Sequence, residues 1–269
     1  MQVNEMLVAP PHWDSGSESL SLVGRGASLL MLDYDGTLAP FQDDRMQALP
    51  WPGITDRLDH LSALPSVHVA LVTGRSAREL ASLVPVKRPI EIWGSHGREH
   101  LTADGVYTSA MLPPVQQAAI EQLQRALQEA GFDSQAERKP ASIAVHWRGL
   151  RTQDAGKVEQ IAFDVYRKSG QRAGLNLLAF DGGLEMRSDS INKGHAALHM
   201  LTQYPTAVPA YLGDDTTDED AFSVLRGRGL TLLVREKPRP SQAAWWIRPP
   251  EELLGFLDAW IRAAERTVR

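Results

Sequence analysis

The chain contains no cysteine. That absence excludes a disulfide scaffold, a zinc–thiolate site and a cysteine nucleophile together, and it suits a reducing compartment. No stretch approaches the roughly 18 uninterrupted apolar residues of a membrane-spanning helix. The first 27 residues carry Glu5, Asp14 and Glu18 without a continuous apolar run behind basic residues, so they do not read as a secretory signal. A basic excess is missing too. With 28 Lys and Arg against 33 Asp and Glu, the net charge is −5, and no basic cluster offers the footprint of a nucleic-acid binder. The expected protein is cytoplasmic and monomeric, has neither nucleic acid nor membrane as a partner, and acts on a small molecule.

What is present is ordinary globular composition, 43% apolar and 23% charged over 269 residues, enough for one large domain or two modest ones. The most informative stretch is the apolar run Leu29-Leu30-Met31-Leu32, which ends abruptly in Asp33-Tyr34-Asp35-Gly36-Thr37. Such a run reads as a buried parallel strand, and ligands of open α/β sheets gather at the carboxyl ends of those strands. The same event recurs. Residues 67–72 stop at Thr73-Gly74-Arg75, residues 90–93 at Gly94-Ser95-His96-Gly97-Arg98-Glu99, and residues 208–212 at Gly213-Asp214-Asp215. Residues 230–234 supply one more strand, and Ser76 with Glu79 has the spacing of a helix-starting capping box. Strands alternating with helices, each strand ending in a polar cluster, predict a doubly wound α/β parallel sheet with those clusters gathered into one pocket.

The middle of the chain has another rhythm. A helix is expected from Pro113-Pro114 to about Ala130, a strand over residues 142–147, and a helix over residues 154–168. Residues 175–180 and 184–187 then bracket Asp181-Gly182-Gly183, a hairpin signal. We read residues 110–187 as an inserted α+β domain between two halves, 1–109 and 188–269, of a sheet domain. After Pro249-Pro250, the spacing of Leu253, Phe256, Leu257, Trp260 and Ile261 predicts a packed terminal helix.

Carboxylates can attack phosphorus as covalent nucleophiles, and Asp33 is placed to do so. Two aspartates would repel a phosphate ester unless a cation intervened, and Mg²⁺ suits carboxylate, phosphate and water oxygens. Asp33 and Asp214 are the expected side-chain ligands. Asp35 adds its backbone carbonyl, and Asp218 acts through water or behind the ligands, with Asp215 assisting. The Asp35 side chain would protonate the leaving alkoxide and then activate water. Thr73, beside helix N-terminal amides, and Lys193, at another helix start, would hold phosphoryl oxygens. Removing the Lys193 ammonium is expected to cost catalysis more than folding.

Blander readings exist for each feature. Asp33 and Asp35 alone could form an Asx turn, Arg75 a simple salt bridge, and Glu137 with Lys139 a solvated pair. An EF-hand fails in register, because from Asp214 it puts Glu219 where glycine is required and Leu225 where a glutamate belongs.

Taken in order, Asp33-Tyr34-Asp35-Gly36-Thr37, Thr73-Gly74-Arg75, Lys193 and Gly213-Asp214-Asp215-x-x-Asp218 resemble the four motifs of the haloacid dehalogenase superfamily of phosphatases. Gly94-Ser95-His96-Gly97-x-Glu99, Glu137-Arg138-Lys139-Pro140 and residues 213–220 further resemble trehalose-6-phosphate phosphatases. The resemblance implies a Rossmann-like core with a large inserted cap, Mg²⁺ dependence, and release of trehalose and phosphate. It also implies that Glu137, Lys139 and Glu185 recognise sugar hydroxyls, with Arg75, Ser95, His96, Gly97 and Glu99 on the substrate side of the core. One departure is Met186-Arg187-Ser188, where the family more often has a proline after the arginine. The alternatives are a phosphatase of another sugar phosphate, a phosphomutase sharing the nucleophile, and a regulatory module that binds a sugar phosphate without turnover.

Overall fold

The computed structural model describes residues 7–13, 20–21, 23–180, 182–188 and 190–266. Glu5, Asp14 and Glu18, Asp181 of the hairpin signal, and Asp189 lie outside the described residues. The chain forms two compact units, one from residues 1–108 with 192–269 and one from residues 109–191.

The first unit is built on an eight-stranded sheet. Its strands in chain order are β1 (Ser28–Leu32), β2 (Val67–Val72), β3 (Glu91–Gly94), β4 (Glu99–Leu101), β5 (Tyr107–Ser109), β10 (Val208–Gly213), β11 (Leu230–Val234) and β12 (Trp245–Ile247). Their spatial order is β12-β11-β10-β1-β2-β3-β4-β5. From β12 to β3 every neighbouring pair is parallel, and β4 turns back antiparallel to β3. The charged Glu99-His100 at the start of β4 lacks the apolar run of a central strand, which is why the sequence shows only a polar cluster there.

Both faces of the sheet are covered, as the continuous apolar runs require. Leu30 and Leu32 point into a core shared with α1 (Ile54–Ala63), α2 (Ala77–Leu83) and α7 (Glu251–Glu265). Leu29 and Met31 point into a second core with α5 (Lys193–Gln203) and α6 (Glu219–Leu225). Ser76 caps α2 by accepting from the Glu79 amide, as the sequence spacing predicts.

In the second unit, β6 (Ala136–Lys139), β7 (Ser142–His146), β8 (Asn176–Phe180) and β9 (Gly183–Arg187) form an antiparallel sheet in the order β6-β7-β9-β8. Ile143, Val145, Leu184 and Met186 pack one face against α3 (Pro114–Glu129) and α4 (Thr152–Val165). The predicted helix over residues 154–168 ends earlier, at Val165, and continues as a π turn through Tyr166–Gly170. β6 was not expected, because Ala-Glu-Arg-Lys carries no apolar alternation. It pairs through its backbone and leaves charged side chains on the helix-free face. No helix among the described residues is long and apolar enough to cross a membrane.

Candidate active site

Because β1 and β10 are neighbours with Leu32 opposite Leu212, the residues that follow them leave the sheet side by side. The Asp33 amide continues the ladder by donating to Leu212 O at 2.9 Å. Asp33, Asp214 and Asp218 each bring a carboxylate oxygen within 4.8 Å of the others, and all three are buried. Lys193, the first residue of α5, sends its ammonium between them, 2.6 Å from Asp33 Oδ1 and 2.7 Å from Asp218 Oδ1. Asn192 caps the start of that helix, fixing where Lys193 leaves the backbone.

The three acids are not equivalent. Asp218 has its oxygens spent on protein donors: Lys193 Nζ and Tyr211 Oη on Oδ1, and the Asp214 and Asp215 amides on Oδ2. It is the anchor of the loop after β10. Gly213 makes room for it, since a Cβ there would overlap the Asp218 carboxylate. Asp33 accepts from Lys193 on one oxygen and from the Thr37 hydroxyl, at 3.1 Å, on the other. Asp214 Oδ1 is buried with no hydrogen-bond partner among the described residues.

Electrostatics follow from that packing. Burial, partly offset by Lys193 and reinforced by Asp218, pushes Asp33 up to about 7. Burial together with the Asp33 and Asp218 charges pushes Asp214 up to about 9. Lys193 is raised above the usual lysine range, because its two carboxylate partners outweigh the burial that opposes its charge. One ammonium faces three carboxylates, and an orphaned carboxylate oxygen is left over. The chemistry of this donor set fits a hard divalent cation, which Asp33 and Asp214 could hold by their side chains with Asp218 behind them. Gly36 lies against the same spot: its φ is +81°, and a Cβ there would come 2.5 Å from Asp214 Cγ.

Asp35 faces a different partner. Arg75 grips its carboxylate with two bonds, Nε to Oδ2 at 2.7 Å and Nη2 to Oδ1 at 2.6 Å, and gives its Nη1 to Glu79 at 2.9 Å. The guanidinium is 4% exposed. Both Asp35 and Arg75 are therefore committed to one another, and the Asp35 side chain is outside the buried acid group. Thr73 is buried, and its hydroxyl accepts from the Arg75 amide at 3.1 Å while keeping its own proton.

The segment after β3 is stitched to this turn. Ser95 N donates to Arg75 O at 2.7 Å and His96 N to Thr73 O at 2.8 Å. Ser95 and His96 hold φ values of 48° and 57°, a left-handed conformation costly for non-glycine residues. Gly97 follows at φ +97°, with Asn192 O only 2.8 Å from where a Cβ would sit. Glu99 is buried and caps α2 by accepting from Ala77 N at 2.6 Å, and it also accepts from the Tyr107 hydroxyl. Its carboxylate has the partners of a helix cap.

In the other unit, Glu137, Lys139 and Glu185 share one sheet face. Lys139 Nζ lies 3.4 Å from Glu185 and 4.0 Å from Glu137, and the Ser142 hydroxyl also donates to Glu185. The residues the sequence left unassigned are Tyr211, the donor to Asp218, and Arg235, which donates to Asp214 O at 3.1 Å. Tyr211 was detectable in principle, as the one hydroxyl in an apolar strand three residues before the acidic cluster. Arg235 had no signal beyond its position after a strand.

The model of the family described as trehalose-phosphatase matches residues 31–246. A trehalose-phosphate phosphatase of Mycobacterium marinum is 29% identical over 267 residues, covering 91% of this chain and 66% of its own length. One from Mycolicibacterium paratuberculosis is 32% identical over 266 residues, covering 92% and 63%. The chain thus spans a little under two thirds of the length of these curated relatives. Among solved structures, the trehalose-6-phosphate phosphatase of Aspergillus fumigatus superposes with a TM-score of 0.68 at 22% identity, covering 94% of this chain and 99% of that one. The C-terminal domain of the Candida albicans enzyme gives 0.71 at 18%, covering 95% and 99%. By the span of that family match, the chain belongs to the trehalose-phosphatase family.

Proposed function

We propose that this chain hydrolyses trehalose 6-phosphate to trehalose and inorganic phosphate in the cytoplasm, with Asp33 as the nucleophile. The observation that carries the reading is the meeting of Asp33, Asp214 and Lys193 at the ends of two adjacent parallel strands, in a chain of this family. An Asp33 oxygen attacks phosphorus, the bond from phosphorus to the sugar oxygen breaks, and the phosphoryl group passes to Asp33. Asp35 protonates the departing alkoxide. A water then attacks the aspartyl-phosphate, with Asp35 taking its proton, and phosphate leaves.

The Arg75 clamp occupies both oxygens of the Asp35 carboxylate. Donation in the first half requires that pairing to loosen. Thr73 and Lys193 hold phosphoryl oxygens. Mg²⁺, held by Asp33 and Asp214 with the Asp35 carbonyl, would supply positive charge to the same oxygens when bound. Glu137, Lys139 and Glu185 form a charged face suited to sugar hydroxyls, because charged partners reject analogues that leave them unpaired.

A domain of a Candida albicans trehalose synthase regulatory protein shares the fold, with a TM-score of 0.66 at 12% identity, so the fold alone does not separate catalysis from regulation. The presence of Asp33, Asp35 and Asp214 in this chain supports the catalytic reading. Phosphate release from trehalose 6-phosphate, compared with sucrose, glucose and mannose phosphates, tests the substrate. Marked preference for trehalose 6-phosphate is expected, and equal turnover across the panel would refute it. Isomerised sugar phosphate without free phosphate would mark a phosphomutase instead.

A further inference from the structure

The helix-free face of the second unit's sheet holds one feature that the charged residues do not explain. Phe180, at the end of the edge strand β8, is 40% exposed, as is Leu178 on the same strand. The register places Phe180 opposite Gly183 and Gly183 opposite His146, so the three form one row across the sheet. The next row on that face runs Glu137, Ala144, Glu185, Leu178.

Phe180 packs closely across Gly183, since a Cβ on Gly183 would overlap the Cζ and Cε2 end of its ring. His146 stands beside it, with ring centroids 5.3 Å apart and the rings tilted by 57°, and the His146 Nε2 is 3.0 Å from Glu137 Oε2. A half-exposed aromatic side chain therefore shares this sheet face with Glu137 and Glu185, one row away. If cross-strand covering of glycine were its whole purpose, an aliphatic side chain would serve, and the exposed apolar area on an edge strand is a liability proteins ordinarily blunt. A pyranose ring matches the combination. Its flat faces present axial C–H bonds, while its rim presents equatorial hydroxyls.

We infer that Phe180 is a specificity-determining residue, a platform for the glucopyranose ring remote from the phosphate, with Glu137 and His146 taking rim hydroxyls. The inference rests on the trehalose 6-phosphate reading above. It divides the labour on this face: charged groups count hydroxyls, and the aromatic ring selects for a sugar ring lying flat.

The test is steady-state kinetics on the full chain with trehalose 6-phosphate, and inhibition by trehalose, for Phe180→Ala, Phe180→Leu and Phe180→Tyr. Ala and Leu are expected to raise KM and the trehalose inhibition constant roughly three- to tenfold with kcat held within about twofold, and Tyr to stay near wild type. Leu keeps apolar cover on Gly183, so it decides the matter even where Ala fails to fold. An unchanged KM in Leu, or a fall in kcat alone, would overturn the inference while leaving the substrate reading intact. So would a loss of self-association in Phe180→Ala with unaltered KM, which would make the patch a contact between copies. A wild type that releases phosphate from no sugar phosphate would end both readings.

Discussion

Lys193 Nζ stands 2.6 Å from Asp33 and 2.7 Å from Asp218, so a single ammonium ties the end of β1 to the loop after β10. All three side chains are buried. The expectation that removing this charge costs catalysis more than folding needs amending, because the same charge also keeps two buried carboxylates compensated.

Lys193→Met is accordingly expected to lower kcat by on the order of 10²–10³, as for loss of one fixed donor to a transferring group. It should also destabilise the fold by about 3–5 kcal/mol, the range seen when one partner of a buried ion pair is removed. Kinetics and denaturant unfolding on the same preparation check both. A variant as stable as wild type would contradict the buried-pair account.

Tyr211→Phe removes one donor to Asp218 and leaves the ring packed beside Phe222. A hydrogen bond to a charged group is worth about 1.5–3 kcal/mol, and a loss of that size should appear in unfolding. The loop that carries Asp214 loosens with it, so the Mg²⁺ concentration needed for half-maximal activity should rise. A shift in stability without any shift in metal requirement would show that Asp218 is held well enough by its other donors.

Gly36→Ala and Gly105→Ala make a controlled pair. Both glycines have positive φ, +81° and +89°, but only at Gly36 would the new Cβ meet Asp214 and Phe41, whereas nothing lies within 4 Å at Gly105. Each variant bears the left-handed penalty of roughly 1–2 kcal/mol. Only Gly36→Ala should also lose most of its activity. Equal activity in the two would contradict the placement of Asp214 against the turn.

The acid group fixes a sign for pH dependence. Asp33 and Asp214 are raised by burial from 3.8 to about 7 and about 9 in the metal-free protein, so the folded state binds more protons than the unfolded state across that window. Their contribution to stability is present below 3.8 and is lost as pH rises through about 7 and then about 9. Relative to wild type, Asp214→Asn should therefore gain stability as pH increases when EDTA is present, and the stabilisation of wild type by Mg²⁺ should grow in the same direction. Thermal melts across this range measure both, and a Mg²⁺ effect that shrinks toward alkaline pH would contradict the assignment.

The buried strands were legible because burial on both faces leaves mostly apolar runs, as in β1, β2, β10 and β11, while β3 keeps only Ile92 and Trp93 beside Glu91. The helix start at Ser76 was legible because capping is local chemistry. β6 and β4 were not: their residues are charged, and only pairing with a neighbour makes them strands. In the acidic cluster, the residue types raised the expectation of metal and phosphoryl chemistry, yet nothing local distinguishes Asp214, with its orphaned oxygen, from Asp218, which accepts from four donors. That difference depends on Lys193 and Tyr211, which arrive from elsewhere in the chain. The Asp35–Arg75 pairing, 40 residues apart, was open to the sequence only as one of two equal readings of Arg75.

The central claim is that Asp33 itself receives the phosphoryl group. Rapid acid quench of enzyme turning over trehalose 6-phosphate with Mg²⁺, followed by peptide mass analysis, tests it most directly. The peptide containing Asp33 should carry the mass of one phosphoryl group in wild type and none in Asp33→Asn, which should also release no phosphate. Full turnover by Asp33→Asn, or a phosphoryl group found on another residue, would contradict the account.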